Sequence, residues 1–215
     1  MNTPMRLAEL LATRMCHDLS GPLNTLLGAL EIANEDPEAA AEAMPLAADA
    51  SVVLGQRLKL LRAAWAGGAG PMAVDEISAL AAGLPGRNLR LDLGQLHAER
   101  AFSGPAARLV LNAIMLAAEA LPGGGTIQLS GDSTRQVMVQ IEGHTAGWPP
   151  GFIGYLADPD AAEQAVNRDG AATARTLQGP LTALLAQCSG LRISVLLGTG
   201  TEAAPPLLLD LEVRQ

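Results

Sequence analysis

Aromatic side chains are nearly absent from this chain of 215 residues, where two Trp, one Tyr and two Phe make up only 2%. A core must therefore be assembled from Leu, Ala and Val, which is feasible because 49% of the residues are hydrophobic. Basic residues are also scarce. Fourteen Lys and Arg against 22 Asp and Glu leave a net charge of −8 and no basic patch, which disfavours nucleic acid and anionic membranes as partners. The two cysteines, Cys16 and Cys188, fall in what read as different domains, so no disulfide framework is expected. No third ligand lies at suitable spacing from Cys16 and His17, so no metal site is expected. No apolar run approaches the roughly 18 residues of a spanning helix. Residues 1–9 lack the charged-then-apolar order of a signal peptide, and the cytoplasm is the expected location. The length suits one or two domains.

What is present is concentrated in Cys16-His17-Asp18-Leu19-Ser20-Gly21-Pro22-Leu23-Asn24. A proline inside a helical pattern costs roughly 3 kcal/mol, and such departures gather where function offsets the loss. At helical spacing the face of His17 is shared by Leu10, Thr13, Arg14, Ser20, Gly21, Asn24 and Gly28, while Leu11, Met15, Leu19, Leu26, Leu30 and Ala33 lie opposite. This pattern predicts an outward imidazole on a docking face of small and hydrogen-bonding side chains. In its neutral form the imidazole keeps one ring nitrogen unprotonated and nucleophilic. Asp18 is adjacent and diverges from His17 on a helix, so it reaches the ring only through a favourable rotamer. Arg14, one turn away, is placed to pair with Asp18 and, at other times, to balance the charge of an anion at the ring.

A break at residues 34–37 precedes a second helical pattern over residues 38–65 with Val52, Leu54, Leu58, Leu61 and Trp65 at spacings of three and four, ending at the glycine-rich 67–71. Two antiparallel helices cannot cover their own apolar stripe. Either a second copy completes a four-helix bundle, or the rest of the chain packs on it. Beyond Pro71, alternating runs at 89–93, 126–129, 137–141, 192–196 and 207–213 predict half-buried strands, and 74–82, 105–121, 159–167 and 172–188 predict helices. A layer of helices on one face of a mixed, mostly antiparallel sheet is the economical arrangement. Gly123-Gly124-Gly125 reads as a turn, His97 and His144 as solvated surface, and Trp148-Pro149-Pro150 as a loop packed over the sheet edge.

His17-Asp18 with Pro22 and Leu23 resembles the H-box of histidine kinases, which lies on the first helix of a dimerising hairpin. The resemblance implies that His17 is the phosphorylated residue and that Asp18 orients or deprotonates its ring. Gly21 stands where many kinases carry the Thr or Asn used in dephosphorylation, so phosphatase activity is not implied. The α+β part from residue 71 resembles the Bergerat-like ATP-binding domain of the kinases, with pieces replaced. Residues 108–125 align with the kinase N-box, and the magnesium-binding asparagine falls on Leu116. The adenine-holding aspartate falls on Gly143, and Thr176-Leu177-Gln178-Gly179-Pro180 stands where a nucleotide loop would lead into a helix.

A kinase-like hairpin with a degenerate ATP-binding domain resembles the histidine phosphotransferases of the ChpT type. The implied division is 1–70 as dimerisation and phosphotransfer hairpin and 71–215 as degenerate ATPase-like domain. The resemblance further implies a homodimer relaying phosphoryl groups through His17, between receiver-domain aspartates of a hybrid kinase and of response regulators. Mg²⁺ would come from the receiver and no nucleotide would be bound. Two other readings fit the same residues: an atypical histidine kinase that still binds ATP, and a non-catalytic dimeric scaffold.

Overall fold

The computed structural model describes residues 3–66, 70–86, 88–131, 135–168, 174–196 and 204–212. Helix α1 (Thr3–Glu35) continues through Pro22, and α2 (Ala40–Trp65) returns antiparallel to it. At 1.5 Å per residue α1 is about 50 Å long. Pro22 has no N–H, which leaves the Asp18 carbonyl without its helical donor. Asp36 makes the turn at the expected break: its Oδ1 accepts from Glu38 N at 2.9 Å and Ala39 N at 3.3 Å.

The remaining elements are β1 (Met72–Ala73), α3 (Val74–Ala81), β2 (Leu89–Gln95), β3 (Ala101–Phe102), α4 (Gly104–Glu119), β4 (Gly125–Ser130) and β5 (Gln136–Glu142), then α5 (Phe152–Ala157), α6 (Pro159–Asn167), α7 (Gln178–Cys188), β6 (Arg192–Val195) and β7 (Leu207–Asp210). Five strands form one sheet in the order β2-β4-β5-β7-β6, with β2 parallel to β4 and the other pairs antiparallel. The small β1–β3 pair and the short α5 escaped the sequence pattern, because two-residue strands and a six-residue helix carry too little periodicity to register. The anticipated start of α7 at Ala172 lies outside the described residues.

Alternation along the strands places Ile127, Leu129, Val137, Val139, Ile141, Leu207 and Leu209 in the core. Helix α4 covers this layer, and α2 packs on the other side of α4. That double coverage explains why α4 is apolar around nearly its whole circumference, from Ala106 to Ala118. Leu60, Leu61 and Ala64 of α2 belong to the same cluster as α4 and the sheet, so packing is continuous across residues 70 and 71, where the sequence suggested a division. Asn112 ties the layers by polar bonds. Its Oδ1 accepts from Trp65 Nε1 at 3.2 Å and Gln178 Nε2 at 2.9 Å, and its Nδ2 donates to the Ala64 carbonyl at 3.0 Å. Among the described residues no helix is long and apolar enough to cross a membrane.

Candidate functional site

His17 stands on α1 with its side chain 63% exposed. Its Nδ1 lies 3.2 Å from Asp18 Oδ1, so the favourable rotamer that the sequence required is the one adopted. An Nδ1–H tautomer donates to Asp18 and leaves the Nε2 lone pair free. Asp18 is itself held, because its Oδ2 accepts from Arg14 Nε at 2.9 Å. Arg14 NH2 donates to Glu119 Oε1 of α4 at 2.6 Å, and NH1 to the Arg175 carbonyl at 3.2 Å.

These charges are largely removed from water. Burial draws the Arg14 guanidinium down, but Glu119 and Asp18 outweigh it and leave the group above its ordinary value. Burial pushes the Glu119 carboxyl up, against the lowering influence of Arg14. Arg57 of α2 is buried beside this cluster. Burial lowers its guanidinium, the Asp18 charge partly restores it, and its Nε meets no hydrogen-bond acceptor among the described residues.

An open groove of about 640 Å³ runs beside the imidazole, lined by Arg14, His17 and Asp18 and, across from them, by Glu119, Trp148 and Arg175. The Trp148 wall is fixed by its Nε1 donating to the Pro205 carbonyl at 2.7 Å and by a tilted contact with Phe152. The 148–150 cluster thus packs against the segment leading into β7, an inner strand and not the sheet edge that the sequence suggested, and also lines the groove. Sequence reasoning missed Glu119, Trp148 and Arg175 as neighbours of His17. No local spacing signals them, since they arrive from elements more than a hundred residues away.

Of the anticipated docking face, Thr13, Ser20, Gly21 and Asn24 are exposed and Gly28 is half-buried. Thr13 and Ser20 turn their hydroxyls onto the Glu9 and Cys16 carbonyls, and a side chain at Gly21 or Gly28 would meet open space. Two members are corrected. Leu10 is buried at 4% exposure against Val166, Leu177 and Leu181, and Arg14 at 8% has its donors engaged internally. Helices α6 and α7 cover this part of α1, and a single-helix periodicity cannot reveal which element covers a face. Arg14 is therefore unavailable to balance a phosphate, whereas Arg175 is an exposed cation on the same groove.

Apolar side chains stay uncovered along both helices of the hairpin. Leu23, Leu27, Leu30 and Ile32 on α1, and Val52, Val53 and Leu58 on α2, are all exposed. Exposed apolar side chains in such number on one hairpin are the usual pattern of an interaction face.

The positions where the resemblance to kinases puts nucleotide ligands are filled in ways that matter chemically. Leu116 is fully buried in the core. A Cβ at Gly143 would lie 2.8 Å from both the Gly124 carbonyl oxygen and Leu121 Cδ2, so no aspartate fits there without moving backbone. Among the described residues no group of three or more His, Cys, Asp or Glu side chains is placed to hold a metal ion.

The family model for the histidine phosphotransferase C-terminal domain matches residues 74–200. Protein phosphotransferase ChpT of Brucella abortus (strain 2308) is 27% identical over 195 residues, which span 88% of this chain and 89% of that protein. In shape the chain is similar to a solved bacterial phosphotransferase with a TM-score of 0.70 and 21% identity, over 99% of this chain and 98% of the other.

Proposed function

Because the chain belongs to the histidine phosphotransferase family, we propose that it relays phosphoryl groups through His17 between aspartates of receiver domains, those of a hybrid kinase and of response regulators. Its main support is the exposed imidazole beside an open groove, with Nδ1 engaged by Asp18 and Nε2 left free. In the transfer, Nε2 attacks the phosphorus of an aspartyl phosphate. The N–P bond forms, the acyl O–P bond breaks, and the receiver's carboxylate leaves. The ring gains positive charge as its lone pair is used, and the Asp18 carboxylate at Nδ1 stabilises it. The reverse reaction returns the phosphoryl group to a second receiver.

Transfer of this kind is mostly alignment and charge neutralisation. The receiver is expected to bring its acidic cluster and Mg²⁺, and Arg175 adds a cation from this chain. Thr13, Ser20, Gly21 and Asn24 offer a low, polar surface that lets the receiver approach. The exposed apolar side chains of the hairpin are the surface by which two copies build a four-helix bundle, and residues 71–215 serve as an ATPase-like domain without nucleotide. The buried Leu116 and the closed position at Gly143 support that last point.

The test is to offer the chain two phosphoryl sources separately, a phosphorylated receiver domain and Mg²⁺-ATP. Rapid acid-labile labelling from the receiver and none from ATP is expected. Labelling from ATP alone would make the protein a kinase, and labelling from neither would leave a scaffold.

A further inference from the structure

Three hydrogen bonds run in series from the sheet-bearing part of the chain to the imidazole: Glu119 to Arg14 at 2.6 Å, Arg14 to Asp18 at 2.9 Å, and Asp18 to His17 at 3.2 Å. We propose that Glu119 is a positioning residue for His17, acting through Arg14 and Asp18. This rests on the reading of His17 as the phosphoryl acceptor.

Adjacent side chains on a helix diverge, so an Asp18 left to itself has no reason to face His17. Selection of the rotamer comes from the other oxygen. With Oδ2 bonded to Arg14 Nε, Oδ1 is turned to Nδ1. Arg14 in turn is a long side chain with many rotamers, and an intrahelical pair alone holds such a group weakly. Two contacts from outside α1 fix it: the Glu119 carboxylate and the Arg175 carbonyl. Of the two only Glu119 is charged, and a bond between two ionised groups is the stronger kind.

Charge balance points the same way. Arg57 is buried on α2, its field acts on Arg14 and Asp18, and it repels the first while attracting the second. Two carboxylates and two guanidiniums therefore share the cluster. Neutralising Glu119 leaves Arg14 facing Arg57 with a single carboxylate between them, and Asp18 is then drawn by two cations instead of being held by one. The Oδ1 that serves His17 loses its fixed orientation. In this view the sheet-bearing part holds the imidazole in its working tautomer from α4, one turn beyond the buried Leu116.

The experiment uses the full chain and its Glu119→Gln, Asp18→Asn and double variants. Their phosphorylation by potassium phosphoramidate is timed: the P–N bond of the donor breaks, ammonia leaves, and the bond from Nε2 to phosphorus forms. In parallel, the ¹⁵N shifts of the His17 ring report its tautomer with no donor present. Glu119→Gln should accept phosphate about tenfold more slowly and shift the ring from Nδ1–H towards the Nε2–H form favoured by a free imidazole. The double variant should be no slower than Asp18→Asn alone, because both act on one atom. Glu119→Asp keeps the charge and should recover most of the rate, which separates positioning from loss of folding. An unchanged tautomer in Glu119→Gln, or rate losses that multiply in the double variant, would overturn the proposal. If the wild-type chain takes no phosphate at His17, the relay reading fails, and the ring shifts still decide whether Glu119 sets the tautomer.

Discussion

His17 Nδ1 and Asp18 Oδ1 stand 3.2 Å apart although the two residues are neighbours on one helix, where side chains normally diverge. The pair exists because Arg14 holds the other Asp18 oxygen. Replacing Asp18 with Asn keeps the shape, but its amide offers an N–H to Nδ1 and no negative charge to the ring. Phosphoryl acceptance from a receiver domain should fall about 100-fold, read as the initial rate of labelling, while the helical circular dichroism stays unchanged. A wild-type rate would mean that the carboxylate is only structural.

The uncovered apolar face of the hairpin sets the second expectation. Leu58 is 49% exposed in the isolated chain, and Leu27 on α1 is 54% exposed. If two copies meet there, Leu58→Asp buries an unpaired charge at the contact and should convert a dimer to a monomer at micromolar concentration. Light scattering gives the mass directly. A dimer that persists would place the contact elsewhere.

Restoring one nucleotide ligand should not restore nucleotide binding. Leu116 is fully enclosed, so Leu116→Asn removes a core side chain and buries an amide without an assigned partner. Urea denaturation should show a loss of about 2–4 kcal/mol, and calorimetry with Mg²⁺-ATP should show no heat of binding. Micromolar ATP affinity in either the variant or the parent would contradict the account of this domain.

Much of this architecture was legible in the chain, for a physical reason. Strands 126–129 and 137–141 alternate because one side of the sheet faces α4, and that period of two survives in the sequence. The unusual composition around His17 and Pro22 pointed to the candidate site in the same local way. Leu10 and Arg14 were misjudged because helical spacing reports which residues share a face and is silent on which faces another element covers. Glu119 was invisible for a related reason. It ends a helix whose apolar pattern concerns the core, and its bond to Arg14 spans 105 positions. Contacts of that range depend on how α1 docks against α4, which no local pattern encodes.

Glu119 also gives the protein a pH signature. Its carboxyl titrates above its unfolded value because burial outweighs the pull of Arg14. Between the two values the folded state binds the proton that the unfolded state has released, so this contribution is full below the unfolded value and is lost as pH rises through the folded one. The difference in urea midpoint between wild type and Glu119→Gln should therefore decline with rising pH across the carboxylate range and then level off. A difference that grows with pH would show that pairing with Arg14 dominates the carboxyl.

The central claim is that the phosphoryl group resides on His17. The full chain is mixed with a phosphorylated receiver domain, quenched at alkaline pH where phosphohistidine survives, and the modified residue is located by mass spectrometry. The account predicts phosphate on His17 alone, absent from His17→Ala although that variant folds normally. Phosphate on His97 or His144, or undiminished labelling of His17→Ala, would contradict it.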